Sequence, residues 1–161
     1  MIDAVSYQAY CCLLKKELIC AMGCTEPIAI AYCAAVSRAA LGGLPDKVRI
    51  VVSGNIVKNV KSVIVPNTGN RKGLTAAAAI GILGGDEQAE LEVISRVSRE
   101  TIEKLPAYLD ATTFETVPVE RGFLLDIEIV CSRGADTATA RIVQEHTNII
   151  LVEKNGTVLY H

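Results

Sequence analysis

The hydrophobic period changes once along this chain, and that change limits the fold more than any other feature. Up to about residue 111 the apolar residues recur every three or four positions; beyond it they alternate. A period near 3.6 puts apolar side chains on one face of a helix, and a period of two puts them on one face of a strand. Helices followed by closely spaced strands predict an α+β fold. We expect an N-terminal helical layer with one or two short strands over residues 1–111 and a C-terminal antiparallel β-meander over residues 112–161. The chain's 161 residues suit a single domain with a sizeable core.

Within the first part, Tyr7, Tyr10, Cys11, Leu14, Leu18 and Ala21 share a helical face, predicting an amphipathic helix from Asp3 to Ala21 that buries this stripe. Thr25 is a suitable N-cap for a second helix, with Glu26 and Pro27 in its first turn. Residues 28–41 are apolar nearly all round, so this helix belongs in the interior. Gly42 and Gly43 end it. A strand is expected around Val48, Ile50 and Val52, then a loop or cap at Ser53-Gly54-Asn55 and a short helix from Ile56 to Val60. Val63–Val65 reads as a short strand, residues 66–73 as a loop, and Leu74–Leu83 as an Ala-rich helix. Asp86 is a cap for a further helix carrying Leu91, Ile94 and Val97, continued from Ser98 to Tyr108 and disturbed by Pro106. In the last third, Phe123, Leu125, Ile127, Ile129 and Cys131 alternate with polar residues. Lys154-Asn155-Gly156 between two short apolar runs is a strong hairpin signal.

Composition excludes several functions. With 16 basic and 18 acidic residues, the chain has no electrostatic footprint for nucleic acid or an anionic membrane. Its longest uncharged run, Gly73 to Gly85, is 13 residues and too short to span a bilayer. Met1-Ile2-Asp3 does not open a secretory leader, so a cytoplasmic location is expected. There the six cysteines, Cys11, Cys12, Cys20, Cys24, Cys33 and Cys131, stay reduced or bind metal rather than pair. They contain no CxxC pair and no zinc-site spacing.

Cys24 lies between Gly23 and Thr25 at the start of the buried helix. A helix N-terminus stabilises a thiolate, the nucleophilic and metal-binding form, and predicts a lowered thiol pKa. Packing in a helix–helix turn is the competing reading. Glu26, in the same first turn, is a candidate proton-handling group. The loop with Asn67, Thr68, Gly69 and Lys72 precedes a helix and carries two cations, a pattern suited to a small anion. Ser53 and Asn55, at a strand end, are candidates to line the same cleft, or simply a capped turn. His146 reads as a turn residue.

The stretch GCTEPIAIAYCAA, Gly23 to Ala35, resembles the N-terminal signature of the L-cysteine desulfidase family, relatives of the alpha chain of iron–sulfur-dependent L-serine dehydratases. SGNIVKNVKSVIVPNTG from Ser53, GLTAAAAIGILGG from Gly73 and HTNIILVEKNG from His146 are similar to that family in the same order. The resemblance implies β-elimination from L-cysteine or L-serine without pyridoxal phosphate. It implies a 4Fe–4S cluster in the complete enzyme, with Cys24 as one ligand and the others in a C-terminal domain or companion subunit. This chain would then be the N-terminal domain of a longer or split enzyme. Alone it is expected to hold no cluster, to be inactive and to form a homo-oligomer. The alternative is a non-catalytic module that binds a small anion or a partner chain.

Overall fold

A computed structural model of the chain describes residues 2–18 and 20–161; the first helix, expected to reach Ala21, ends at Glu17 with Leu18 as its C-cap, Cys20 and Ala21 are not helical, and Ile19 lies outside the described residues. The elements are α1 (Ala4–Glu17), α2 (Thr25–Leu41), β1 (Lys47–Ser53), α3 (Gly54–Val60), α4 (Gly73–Gly84), α5 (Arg99–Ala111), β2 (Thr113–Val119), β3 (Asp126–Arg133), β4 (Asp136–Val143), β5 (Ile149–Lys154) and β6 (Thr157–Tyr160). The fold is α+β, with the six strands in one sheet ordered β2-β1-β3-β4-β5-β6.

The meander prediction holds for β3 to β6, where each neighbour is antiparallel. The sheet as a whole is mixed, because β1 sits inside it, antiparallel to β3 and parallel to β2. A parallel pair needs a long crossover, and α3, α4 and α5 supply it. The sequence reading had no strand at β2. Its burial is weak, and Pro118, which cannot donate to a ladder, is tolerated because β2 is an edge strand.

Helix α2 forms the centre of the molecule. It packs against β3 and β4 on one side and α4 on the other, which is why residues 27–35 are all buried. On the sheet, Ile127, Ile129 and Cys131 alternate into this core as expected. Gly81 of α4 lets the two helices touch: a Cβ there would fall well inside contact distance of the Ala31 carbonyl.

Several local expectations are corrected. The stripe of α1 is not in the core: Tyr7, Tyr10, Leu14 and Leu18 are exposed, and among the described residues α1 has no substantial contact with another element. Cys24, not Thr25, is the N-cap of α2, and its side chain makes no capping bond. After Asp86 the chain makes turns and a short 3-10 segment at Glu90–Glu92 in place of a helix, and α5 runs through Pro106 unbroken. Val63–Val65 yields only an isolated bridge between Ile64 and Lys72.

Candidate active site

The first turn of α2 brings a thiol and a carboxylate into contact. Gly23 enters it with φ 151°, and the position a Cβ would take lies 3.6 Å from Pro66, so the turn closes against the start of the 66–73 loop. Cys24 follows, exposed. Its Sγ donates to Glu26 Oε2 at 3.0 Å, and Asn59 of α3 donates through Nδ2 to Glu26 Oε1 at 3.3 Å. His146, in the turn between β4 and β5, lies close enough for its charge to favour the ionised Glu26. Its Nε2 is buried with no hydrogen-bond partner. The sheet thus returns a histidine from late in the sequence to the N-terminus of α2. Sequence reasoning missed Asn59 and His146; the only signal was a polar Asn in a short helix and a His in a turn.

The electrostatics correct one expectation. The Cys24 thiol is raised above its ordinary value, not lowered. Partial burial is the main cause, followed by the hydrogen bond to Glu26 and the carboxylate's charge. The Glu26 backbone N–H, the helix-terminus effect, pulls the other way and is outweighed. The same contact from Cys24 holds Glu26 below the usual carboxylate range, with Asn59 and His146 acting in that direction. A carboxylate kept ionised beside a protonated thiol can accept one proton and has another within reach.

The other predicted residues lie elsewhere. Ser53 is buried and caps α3, accepting from Ile56 N at 3.4 Å and donating to the Leu124 carbonyl at 2.6 Å. Asn55 is exposed, and with Ser53 it lines a 360 Å³ cavity against Gly122, Phe123 and Leu124. That cavity includes neither Cys24 nor the 66–73 loop. In the loop, Thr68 Oγ1 donates to the Val65 carbonyl at 2.7 Å and accepts from Arg71 N at 3.0 Å. Asn67, in the left-handed region, donates to the Ile94 carbonyl at 2.8 Å. Their polar groups hold the loop together; Gly69 and Lys72 remain exposed. A larger cleft of 540 Å³ runs between Tyr32 and Val36 of α2 and Val152, Leu159 and Tyr160 of the β5–β6 hairpin.

These residues do not by themselves fit a 4Fe–4S cluster held by three thiolates. Cys24 offers one. Cys33 and Cys131 are buried in the core, Cys11 and Cys12 lie on α1, and Cys20 is exposed in the connection between α1 and α2. Among the described residues no group of three His, Cys, Asp or Glu converges to hold a metal.

Fold and site together define an α+β chain with a thiol–carboxylate pair at the N-terminus of its central helix. The chain is similar to the UPF0597 protein of Treponema denticola, 42% identical over 159 residues, 99% of this chain and 37% of that protein. It is 46% identical over 154 residues to a UPF0597 protein of Desulfitobacterium hafniense and 47% identical over 149 residues to one of Finegoldia magna, in each case over 36% of the relative. The chain therefore spans little more than a third of the length of these relatives. No protein-family model and no solved structure matches it. These names correct the sequence reading: the relatives are UPF0597 proteins, not L-cysteine desulfidases. Among the described residues no helix is long and apolar enough to cross a membrane.

Proposed function

We propose that this chain supplies part of the active site of a lyase that performs β-elimination on a small amino acid, L-cysteine or L-serine, in the cytoplasm. The observation that supports it is the 3.0 Å contact between Cys24 Sγ and Glu26 Oε2, with Asn59 fixing the other carboxylate oxygen. Glu26, held ionised, accepts the proton from the substrate's α-carbon. The electron pair of that C–H bond forms the Cα–Cβ double bond as the C–S or C–O bond breaks. The leaving sulfide or hydroxide takes up a proton, departing as hydrogen sulfide or water. The remaining aminoacrylate tautomerises to an imine, which water hydrolyses to pyruvate and ammonia. Were a 4Fe–4S cluster bound in the complete enzyme, its other thiolates would come from outside this chain, and Cys24 would give up its proton and its hydrogen bond to Glu26 to serve as one ligand, leaving Asn59 to hold the carboxylate. In this reading, Asn55, Gly69 and Lys72 are the predicted substrate-binding residues with exposed positions, whereas Ser53, Asn67 and Thr68 serve the turns that hold their loops.

The test is an anaerobic assay of the longest polypeptide the gene encodes, after cluster reconstitution. Sulfide and pyruvate from L-cysteine, or pyruvate from L-serine, are expected. Glu26→Gln lowers kcat by about 10²–10⁴-fold, the range for loss of a general base. A loaded protein that turns over neither amino acid overturns the proposal.

A further inference from the structure

The apolar stripe of α1 is spaced for a helix. Ala4, Tyr7, Cys11 and Leu14 recur at intervals of three, four and three, the seam that one helix offers another, and Leu18, the C-cap of α1, follows four residues on. Yet Tyr7 is 63% exposed, Leu14 55% and Leu18 74%. Among the described residues no other helix or strand makes substantial contact with α1. An unpartnered apolar face of this size on a protein surface marks an interaction site.

Two observations identify the occupant. The relatives are far longer: the matched region is only 34–37% of their length, so nearly two thirds of such a polypeptide lies beyond it. And α1 is short. Fourteen residues give two heptads, which is marginal for a helix standing alone and too little for an independent helix dimer. The seam therefore suits a helix that belongs to an already folded body. The helix also lacks the strongly basic polar face of a membrane-surface helix; Asp3 caps its start.

We infer that α1 is a docking helix, and that the polypeptide equivalent to the remaining two thirds of these relatives covers its Tyr7–Cys11–Leu14–Leu18 seam with a helix of its own. This inference does not depend on the chemistry assigned to Glu26.

The chain carries its own probe. Cys11 lies on the seam and Cys12 beside it, off the seam and exposed. Alkylation of the two thiols with iodoacetamide, resolved by fragment-ion mass spectrometry, is compared in two settings. One is this chain alone. The other is this chain spliced in place of the matched 159 residues of the Treponema denticola relative, or mixed with the rest of that relative as a separate polypeptide. The expected result is that Cys11 slows by about tenfold or more in the second setting, as for a site reached only by local opening. Cys12 stays within about twofold, and Leu14→Glu restores Cys11 reactivity. Equal rates in all settings overturn the inference. So does protection of Cys11 that grows with the concentration of this chain alone, which would make a second copy the occupant. Protection by anionic lipid vesicles would equally overturn it.

Discussion

At Cys24 two opposite electrical influences meet, and the side chain two residues away decides between them. The helix N-terminus draws the thiol toward ionisation, while partial burial and Glu26 keep it protonated. Removing the carboxylate's charge leaves the helix effect less opposed. In Glu26→Gln the Cys24 thiol is therefore expected to titrate lower than in the unsubstituted chain. Its alkylation at about pH 8, just below the ordinary thiol value of ~8.5, should be faster. The rate–pH profile of a Cys24-only variant, with and without Glu26→Gln, checks this. An unchanged or raised midpoint would show that burial alone sets the value. Cys24 and Glu26 were legible in the sequence because a Gly-Cys-Thr-Glu-Pro run before an apolar segment marks a helix start. The sign of the thiol's shift was not legible, since it depends on which way Sγ points. Asn59 and His146 were beyond reach for a different reason: only the packing of α3 and of the β4–β5 turn around α2 brings them to the carboxylate.

Between elements, the tightest constraint is the crossing of α2 and α4. Small residues line it, Ala31 on one helix and Gly81 on the other, and the carbonyl of Ala31 occupies the space where a Cβ of residue 81 would stand. A backbone atom cannot swing aside as a side chain can. Gly81→Ala should gain slightly in helix propensity, by up to about 1 kcal/mol, and lose more by forcing the helices apart. Overpacking of a core costs typically about 1–3 kcal/mol, so net destabilisation is expected, measured by urea unfolding against the unsubstituted chain. A variant as stable as the parent would mean that the helices separate without cost. Apolar runs closed by glycines found α2 and α4, alternation found β3 and β4, and the Lys154-Asn155-Gly156 turn found β5 and β6. Periodicity misplaced α1, since an apolar stripe says that a face is to be covered but not by what. It passed over β2, whose partial burial at Phe114, Val117 and Val119 breaks strict alternation and whose partner lies across a crossover.

For the molecule as a whole, the joint between α2 and the sheet ties stability to pH. Cys33 of α2 is fully buried and donates Sγ to the Ala140 carbonyl at 3.2 Å; Cys131 of β3 is buried in the same core. Burial pushes both thiols up, Cys131 to about 11 and Cys33 strongly in the same direction. In the unfolded chain they ionise near the ordinary value of ~8.5, so the unfolded state loses these protons first. Below that value both states keep them and the full stability is present. From there to about 11 the folded protein holds more protons than the unfolded one, and stability falls as pH rises. For Cys131 a shift of about two units corresponds to on the order of 3 kcal/mol, with Cys33 adding to it in the same sense. Tyr108, raised to about 12 chiefly by burial, steepens the decline at the top of the range. The expected outcome is a urea midpoint clearly lower at pH 10.5 than at pH 8, and a shallower decline in Cys131→Ala, compared by slope so that the lost sulfur's packing cancels. A flat profile across that range would mean that these thiols ionise as readily folded as unfolded, which a core joint closed to water does not allow.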